Sequence, residues 1–288
     1  MIWLDTLIQG LLVGGVYALA AVGLALAFGV MRLVNMAHGD VMVTAAYVAF
    51  ALMGHAFGLM PAMLTAILVM AAAGYGLQRL MLNRTLGADP LPSLLVTFGL
   101  SMVVQNVLLL IWTADSRKLS PGPIGEASLT LAPGLQVGVL PLITFALAVI
   151  GLVGLQQVFD RTRIGRILRA VSNDPEIAGG MGIDNRHIYA LAIALAFGFA
   201  ALAGLFLAMR SGFSPQAGSG YLILAFEVVV IGGLGRFEGA LIGGMILGLA
   251  QALAARIDPQ WQLLGGHVVF LAVLLVRPNG LFSRGARG

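Results

Sequence analysis

A histidine and an aspartate sit two residues apart in Asn35-Met36-Ala37-His38-Gly39-Asp40. An imidazole and a carboxylate so close can line a polar passage or fasten the end of a helix. Asp40 precedes an apolar run, where an N-cap carboxylate would accept otherwise unpaired amide donors. A second carboxylate, Glu227, lies between Phe226 and Val228 in another apolar run. At the centre of a membrane helix it costs roughly 2.5–3.5 kcal/mol, so it is expected to face protein or water, either on a pathway or as a neutral hydrogen-bond donor. Asn35, His38, Asp40 and Glu227 are therefore the pathway candidates. Gln105 and Asn106 are polar enough to hydrogen-bond a neighbouring helix.

Other chemistries lack their parts. The four histidines fall in four separate segments, and neither a His-Glu-x-x-His pair nor a Gly-x-Ser-x-Gly elbow is present. There are no cysteines, which excludes disulfides, thiol catalysis and thiolate metal sites. No metal and no cofactor is implied. A P-loop needs a lysine after its glycines to reach the phosphates, and the single lysine, Lys118, stands in Ser116-Arg117-Lys118-Leu119. The glycine-rich run Gly232-Gly233-Leu234-Gly235-Arg236-Phe237-Glu238-Gly239 has none. Any ATP chemistry is expected from another chain, and this one reads as a non-hydrolytic subunit.

The third constellation is basic and then apolar. In residues 163–171, Ile164, Ile167, Leu168 and Val171 fall at i, i+3, i+4, i+7, with Arg163, Arg166 and Arg169 off that face. Such a helix suits a position flat at the headgroups. Asp174-Pro175-Glu176 then reads as a helix start, with Asp at the N-cap and Pro at the first helical position. Gly179, Gly180 and Gly182 limit this helix to a turn or two. It carries Ile177, Ala178, Met181 and Ile183, with Ala178 and Met181 expected on one face. Apolar residues on a polar loop want a protein partner or the bilayer surface, unless the loop folds back on its own span ends.

The elements that must hold these groups follow from composition. Of the 288 residues 59% are hydrophobic and 10% charged, with a mean hydropathy of +0.98. A soluble domain carries roughly 25% charged residues, so this chain needs lipid as its solvent. The apolar runs are long and continuous, which predicts helices and not the alternating strands of a barrel. The expected fold is an all-α polytopic membrane protein, one transmembrane domain over 1–288. Spans are expected at about 7–30, 40–54, 60–77, 91–113, 139–158, 189–209, 221–235, 239–254 and 262–276. The seventh is short and glycine-rich and can be broken or re-entrant, so eight or nine crossings are expected. The first 10 residues hold no Lys or Arg, so the first run reads as a retained span and not a cleaved leader. Gly239-x-x-x-Gly243 and Gly244-x-x-x-Gly248 predict close helix approach.

The net charge of +4 could suggest nucleic acid, but in a membrane chain basic residues record orientation. With nine crossings and the N-terminus outside, Arg117, Lys118, Arg210 and Arg256 face out and the other 12 of 16 basic residues face in. That predicts a cytoplasmic C-terminus, a cytoplasmic loop at 159–188 and a periplasmic loop at 114–138 without helical pattern.

Three stretches, in order along the chain, resemble LivH-type permeases of branched-chain amino acid ABC transporters. The first is Gly14-Gly15-Val16-Tyr17-Ala18-Leu19 with Phe28-Gly29-Val30 and Val34-Asn35-Met36-Ala37-His38-Gly39-Asp40. The second is Arg169-Ala170-Val171-Ser172-Asn173-Asp174, with Ala178 and Met181-Gly182-Ile183. The third is Phe226-Glu227 through Gly235, then Gly239-Ala240-Leu241-Ile242-Gly243-Gly244. The resemblance implies that Asp174, Pro175, Glu176, Ile177, Ala178, Met181, Gly182 and Ile183 form the coupling helix that seats in an ATPase subunit. It implies as partners a paralogous permease or a second copy, two ATP-binding cassette subunits and a periplasmic binding protein, all at a bacterial inner membrane, and no nucleic acid. Met36 departs from the Phe common in the amino-acid branch and is frequent in urea and short-amide permeases, which form the alternative substrate class. A stand-alone channel or secondary transporter and an intramembrane enzyme are the other classes. An ion-coupled carrier needs several buried titratable groups, and this chain offers mainly Glu227.

Overall fold

The computed structural model describes residues 2–55, 57–87, 89–132 and 135–282. Pro133 of the 114–138 segment, and Arg284, Arg287 and the C-terminal end whose cytoplasmic position the sequence predicts, lie outside the described residues. The chain runs α1 (Ile2–Met31), α2 (His38–Gly54), α3 (Leu59–Leu80), α4 (Leu91–Trp112), α5 (Pro123–Glu126), β1 (Ser128–Ala132), β2 (Leu135–Gly138) and α6 (Val139–Arg161). It continues with α7 (Arg163–Asn173), α8 (Pro175–Gly180), α9 (Asn185–Ser211), α10 (Gly218–Gly232), α11 (Phe237–Ile257) and α12 (Gln262–Val276). Among the described residues seven helical stretches are long and apolar enough to cross a membrane, and α2 and α10 are shorter apolar helices. All nine expected spans are thus helices.

The ends of α6 define two poles. One carries the segment before it, where β1 and β2 pair antiparallel from Ser128–Gly138 inward. The sequence reading of 114–138 as a loop without helical pattern is corrected at Pro123–Glu126, where the short helix α5 forms, and this hairpin follows it. Pairing within the hairpin satisfies backbone groups that a bare loop would leave to water. The other pole carries α7 and α8.

Helices α1 and α9 form the centre. From Gly14 to Ala27 every residue of α1 is buried, and α11, α9, α6 and α10 pack around it. Glycine permits this closeness: a Cβ on Gly244 would lie 2.5 Å from the Gly14 carbonyl oxygen. Gly248 meets Gly10 in the same way, whereas Gly239 and Gly243 face Gly232 and the Val228 carbonyl of α10. The two small-residue motifs therefore serve two different neighbours. Lipid offers no hydrophobic drive between helices, so contact of this kind is what holds them. The peripheral helices α4 and α12 show long apolar side chains outward, such as Leu110 at 85% and Leu275 at 85% exposed.

Candidate functional site

The paired short helices decide where the polar residues go. Helix α1 ends as Arg32 takes a left-handed backbone (φ 53°), and the chain doubles back. His38 Nε2 meets the Ala20 carbonyl oxygen at 2.9 Å, about 16 Å short of the α1 end. Helix α2 therefore starts at mid-depth, and with 17 residues it covers about 26 Å, enough to reach the hairpin pole. There Tyr47 packs against Trp112 and Phe213. Helix α10 starts from the same level and runs the other way, to Gly232 at the α7–α8 pole. Its first residue, Gly218, lies against Gly39 and Asp40, and a Cβ on Gly39 would collide with the Gly218 carbonyl. Two shorter helices thus meet with their N-termini facing.

Each N-terminus carries the positive end of a helix dipole, so a carboxylate between them is favoured. Asp40 supplies it. It does not cap α2 as the sequence suggested: the N-cap is Ala37, without a side-chain bond, and Asp40 lies within the first turn. Its Oδ1 accepts from Gln105 Nε2 at 3.0 Å, and the same amide lies 3.2 Å from Ser101 Oγ and 3.3 Å from Ser219 Oγ. Gln105 thereby joins α2, α4 and α10. Helix α4 buries a polar stripe here: Ser93, Thr97 and Ser101, one turn apart. Thr97 Oγ1 accepts from the Met36 amide at 3.2 Å. Asn106 does not bridge helices as expected, since its amide donates to Met102 of its own helix and stays exposed.

Asn35, His38 and Asp40 are 1%, 1% and 2% exposed. Asn35 Oδ1 accepts from the Ala37 amide at 3.0 Å. His38 ties the doubled-back segment to α1, a geometry that suits fastening, whereas Asn35 bonds only within that segment and its Nδ2 has no partner among the described residues. Asp40 differs, because Gln105 and the exposed Ser219 carry its hydrogen bonding to the surface between α4 and α10. Glu227 is buried in α10 and pairs with His267 Nδ1 of α12. Its Oε2 has no partner among the described residues. Sequence reasoning missed His267 and Ser219. A histidine five residues into the last apolar helix was the available signal, and an isolated serine near a glycine turn offered none.

The pole opposite the hairpin holds the second group. Thr162 caps α7 by accepting from the Gly165 amide at 3.1 Å, and Gly165 lies directly on the Val158 and Phe159 backbone of α6. Leu168 and Val171 are buried, so α7 packs on protein along much of its apolar face. Ser172 Oγ donates to the Gly29 carbonyl of α1 at 2.6 Å, and Arg169 pairs with Asp160 at 2.9 Å. Asp174 Oδ1 accepts from the Ile177 amide at 2.9 Å, with Pro175 at the first position, as expected for a capped start. Gly182 (φ 85°) ends the turn, and Ile183 N donates to the Ala178 carbonyl. Asn185 Nδ2 then ties the Pro175 carbonyl to α9 at 2.6 Å. The Asp184 carboxylate caps α9; the His187 amide, and then Arg79 at 3.2 Å, hold it below the usual carboxylate range.

One expectation fails here. Ala178 and Met181 do not share an outward face: Ala178 is 3% exposed, whereas Met181 is 79% and Ile177 64% exposed. Ile177 and Met181, one turn apart, are the outward pair. A clamped helix of six residues thus presents two apolar side chains and Glu176. Beside it, a cleft of about 620 Å³ opens between α7 and the α10–α11 turn, lined by Asp160, Arg169, Ser172, Arg236 and Glu238 among others.

Two shorter helices meeting N-terminus to N-terminus inside a bundle of apolar spans define a multi-pass α-helical membrane protein of the transport type. The chain belongs to the family described as branched-chain amino acid transport system, permease component, whose profile matches residues 6–276. It is 32% identical to the high-affinity branched-chain amino acid transport system permease protein BraD of Pseudomonas aeruginosa, over 98% of this chain and 96% of the relative. LivH of Escherichia coli K12, of the same description, is 27% identical over the same shares. The autoinducer 2 import system permease protein LsrC of Salmonella paratyphi B is 26% identical over 64% of this chain and 54% of its own. No solved structure matches the chain significantly.

Proposed function

We propose that the chain is a transmembrane subunit of an importer that moves branched-chain amino acids through a bacterial inner membrane. It crosses nine times, with α2 and α10 reaching only part of the depth, and its N-terminus lies outside. The 12-to-4 division of basic residues supports this orientation. Residues 159–188 then form the cytoplasmic coupling loop and 114–138 the periplasmic one, where a binding protein delivers the amino acid. Two ATP-binding cassette subunits supply the energy, and a paralogous permease or a second copy completes the passage. Asp40 with Gln105 and Ser219, open between α4 and α10, is the polar wall this chain contributes.

The observation that carries the reading is the clamped α8, with Ile177 and Met181 outward. A short helix tied directly to α9, and through α7 to α1 and α6, can pass a push into the spans, and an apolar pair fits a cleft in a partner. Relatives covered over 96% of their length are named for branched-chain amino acids, which favours that substrate over urea or short amides. The test is reconstitution in proteoliposomes with ATP-binding cassette subunits and a binding protein. ATP-dependent leucine uptake that urea does not compete is expected. Uptake without ATPase subunits would mean a stand-alone carrier.

A further inference from the structure

We infer that the cleft between α3 and α9 seats an acyl chain of an anionic phospholipid, with Arg163 receiving the phosphate. The inference rests on the chain lying in a bilayer and not on the coupling reading. The cleft measures about 500 Å³, and the side chains lining it are apolar. Ile67 and Ala71 of α3 form one wall, Leu195, Gly198 and Phe199 of α9 the floor and far wall, and Ile164 of α7 one end. Gly198 makes it a slot: a Cβ there would meet only Ile67 Cγ2, at 3.9 Å.

At the α7 end the chemistry changes within one helical turn. Tyr75 Oη and His187 Nδ1 join α3 to α9 at 2.9 Å, one turn beyond Ala71 and Leu191. Arg163 is exposed and immediately precedes Ile164, the α7 residue that closes this end of the slot. Arg161, Arg163 and Arg166 are exposed and form no ion pair among the described residues, whereas Asp184 and Asp160 occupy Arg79 and Arg169. An apolar slot ending in uncompensated cations at headgroup depth matches a lipid with a net negative phosphate. A zwitterionic lipid would fill the slot and leave the cations unbalanced.

The test uses the full chain, purified and delipidated in detergent, and native mass spectrometry with equimolar dioleoyl phosphatidylglycerol and dioleoyl phosphatidylcholine. The wild type should retain phosphatidylglycerol preferentially. Arg163→Gln should lower that preference about fivefold while leaving phosphatidylcholine retention unchanged. Gly198→Leu, whose side chain fills the slot, should lose both lipids, whereas Gly198→Ala should keep them. Equal retention of the two lipids by the wild type, or unchanged retention by Gly198→Leu, overturns the proposal. The chain has no cysteine, so Gly198→Cys supplies a single thiol. A disulfide between two chains through it would mean that a second copy covers this face, and would also overturn the lipid assignment. Should the uptake assay fail while these lipid results hold, the transport reading falls and this one stands.

Discussion

Replacing Asp174 by Ala removes one hydrogen bond from the structure, and its consequence for coupling can be worked out. The carboxylate accepts from the Ile177 amide at 2.9 Å and is the side-chain cap on α8. Six residues cannot sustain a helix by themselves, because nucleation fixes several residues for one backbone bond. Loss of an Asp cap costs about 0.5–2 kcal/mol. If α8 must be ordered to dock and the cap decides that order, the apparent affinity for the ATPase falls by up to the same free energy, which is about 2- to 30-fold. Asp174→Asn should stay near wild type, since Asn caps as well as Asp. The assay is a titration of purified ATPase subunit against permease in nanodiscs, read as half-maximal stimulation of ATP hydrolysis. Abundance and thermal unfolding of the permease should not change. Wild-type affinity for Asp174→Ala would refute the claim that an ordered α8 is what docks. An Asn variant as weak as Ala would mean that the charge matters and not the cap.

Three further outcomes are expected. Ile177→Asp and Met181→Asp should abolish ATPase stimulation with normal chain stability. Ala178→Asp, by contrast, buries a carboxylate and should destabilise the chain by about 3–5 kcal/mol in thermal unfolding; the opposite pattern would restore Ala178 to the docking face. Gly39→Ala must push the α2 and α10 starts apart, costing about 1–3 kcal/mol or more, and an unchanged unfolding temperature would refute the close approach. His267→Ala leaves Glu227 buried without its partner, at about 1–3 kcal/mol. A double-mutant cycle with Glu227→Gln should show coupling, and additivity within about 0.5 kcal/mol would mean that the pair contributes nothing.

The class of this protein was legible along the chain because lipid imposes a local rule. A span must satisfy its own backbone and show apolar side chains for about 20 residues, and both conditions can be read in a window. The apolar helices at the nine expected spans, the capped start at Asp174-Pro175 and the glycine approaches of α11 are local in this sense. The hairpin at 128–138 was missed because its pairing needs a register between two short strands, and no apolar window marks one.

What lay beyond the sequence depends on contacts between distant residues. Glu227 and His267 are 40 positions apart, and nothing near either one announces the other. Periodicity could put Ala178 and Met181 on one side of a short helix, but the packing of α8 on α9 decided which residue turned inward. Length alone made α10 look like a weak span. That α2 is its counterpart follows only from His38 reaching Ala20, and Gly218 reaching Asp40, across the bundle. Depth in the bundle is a tertiary coordinate: an apolar run shows that a helix is in the membrane, and only its neighbours show how far down it starts.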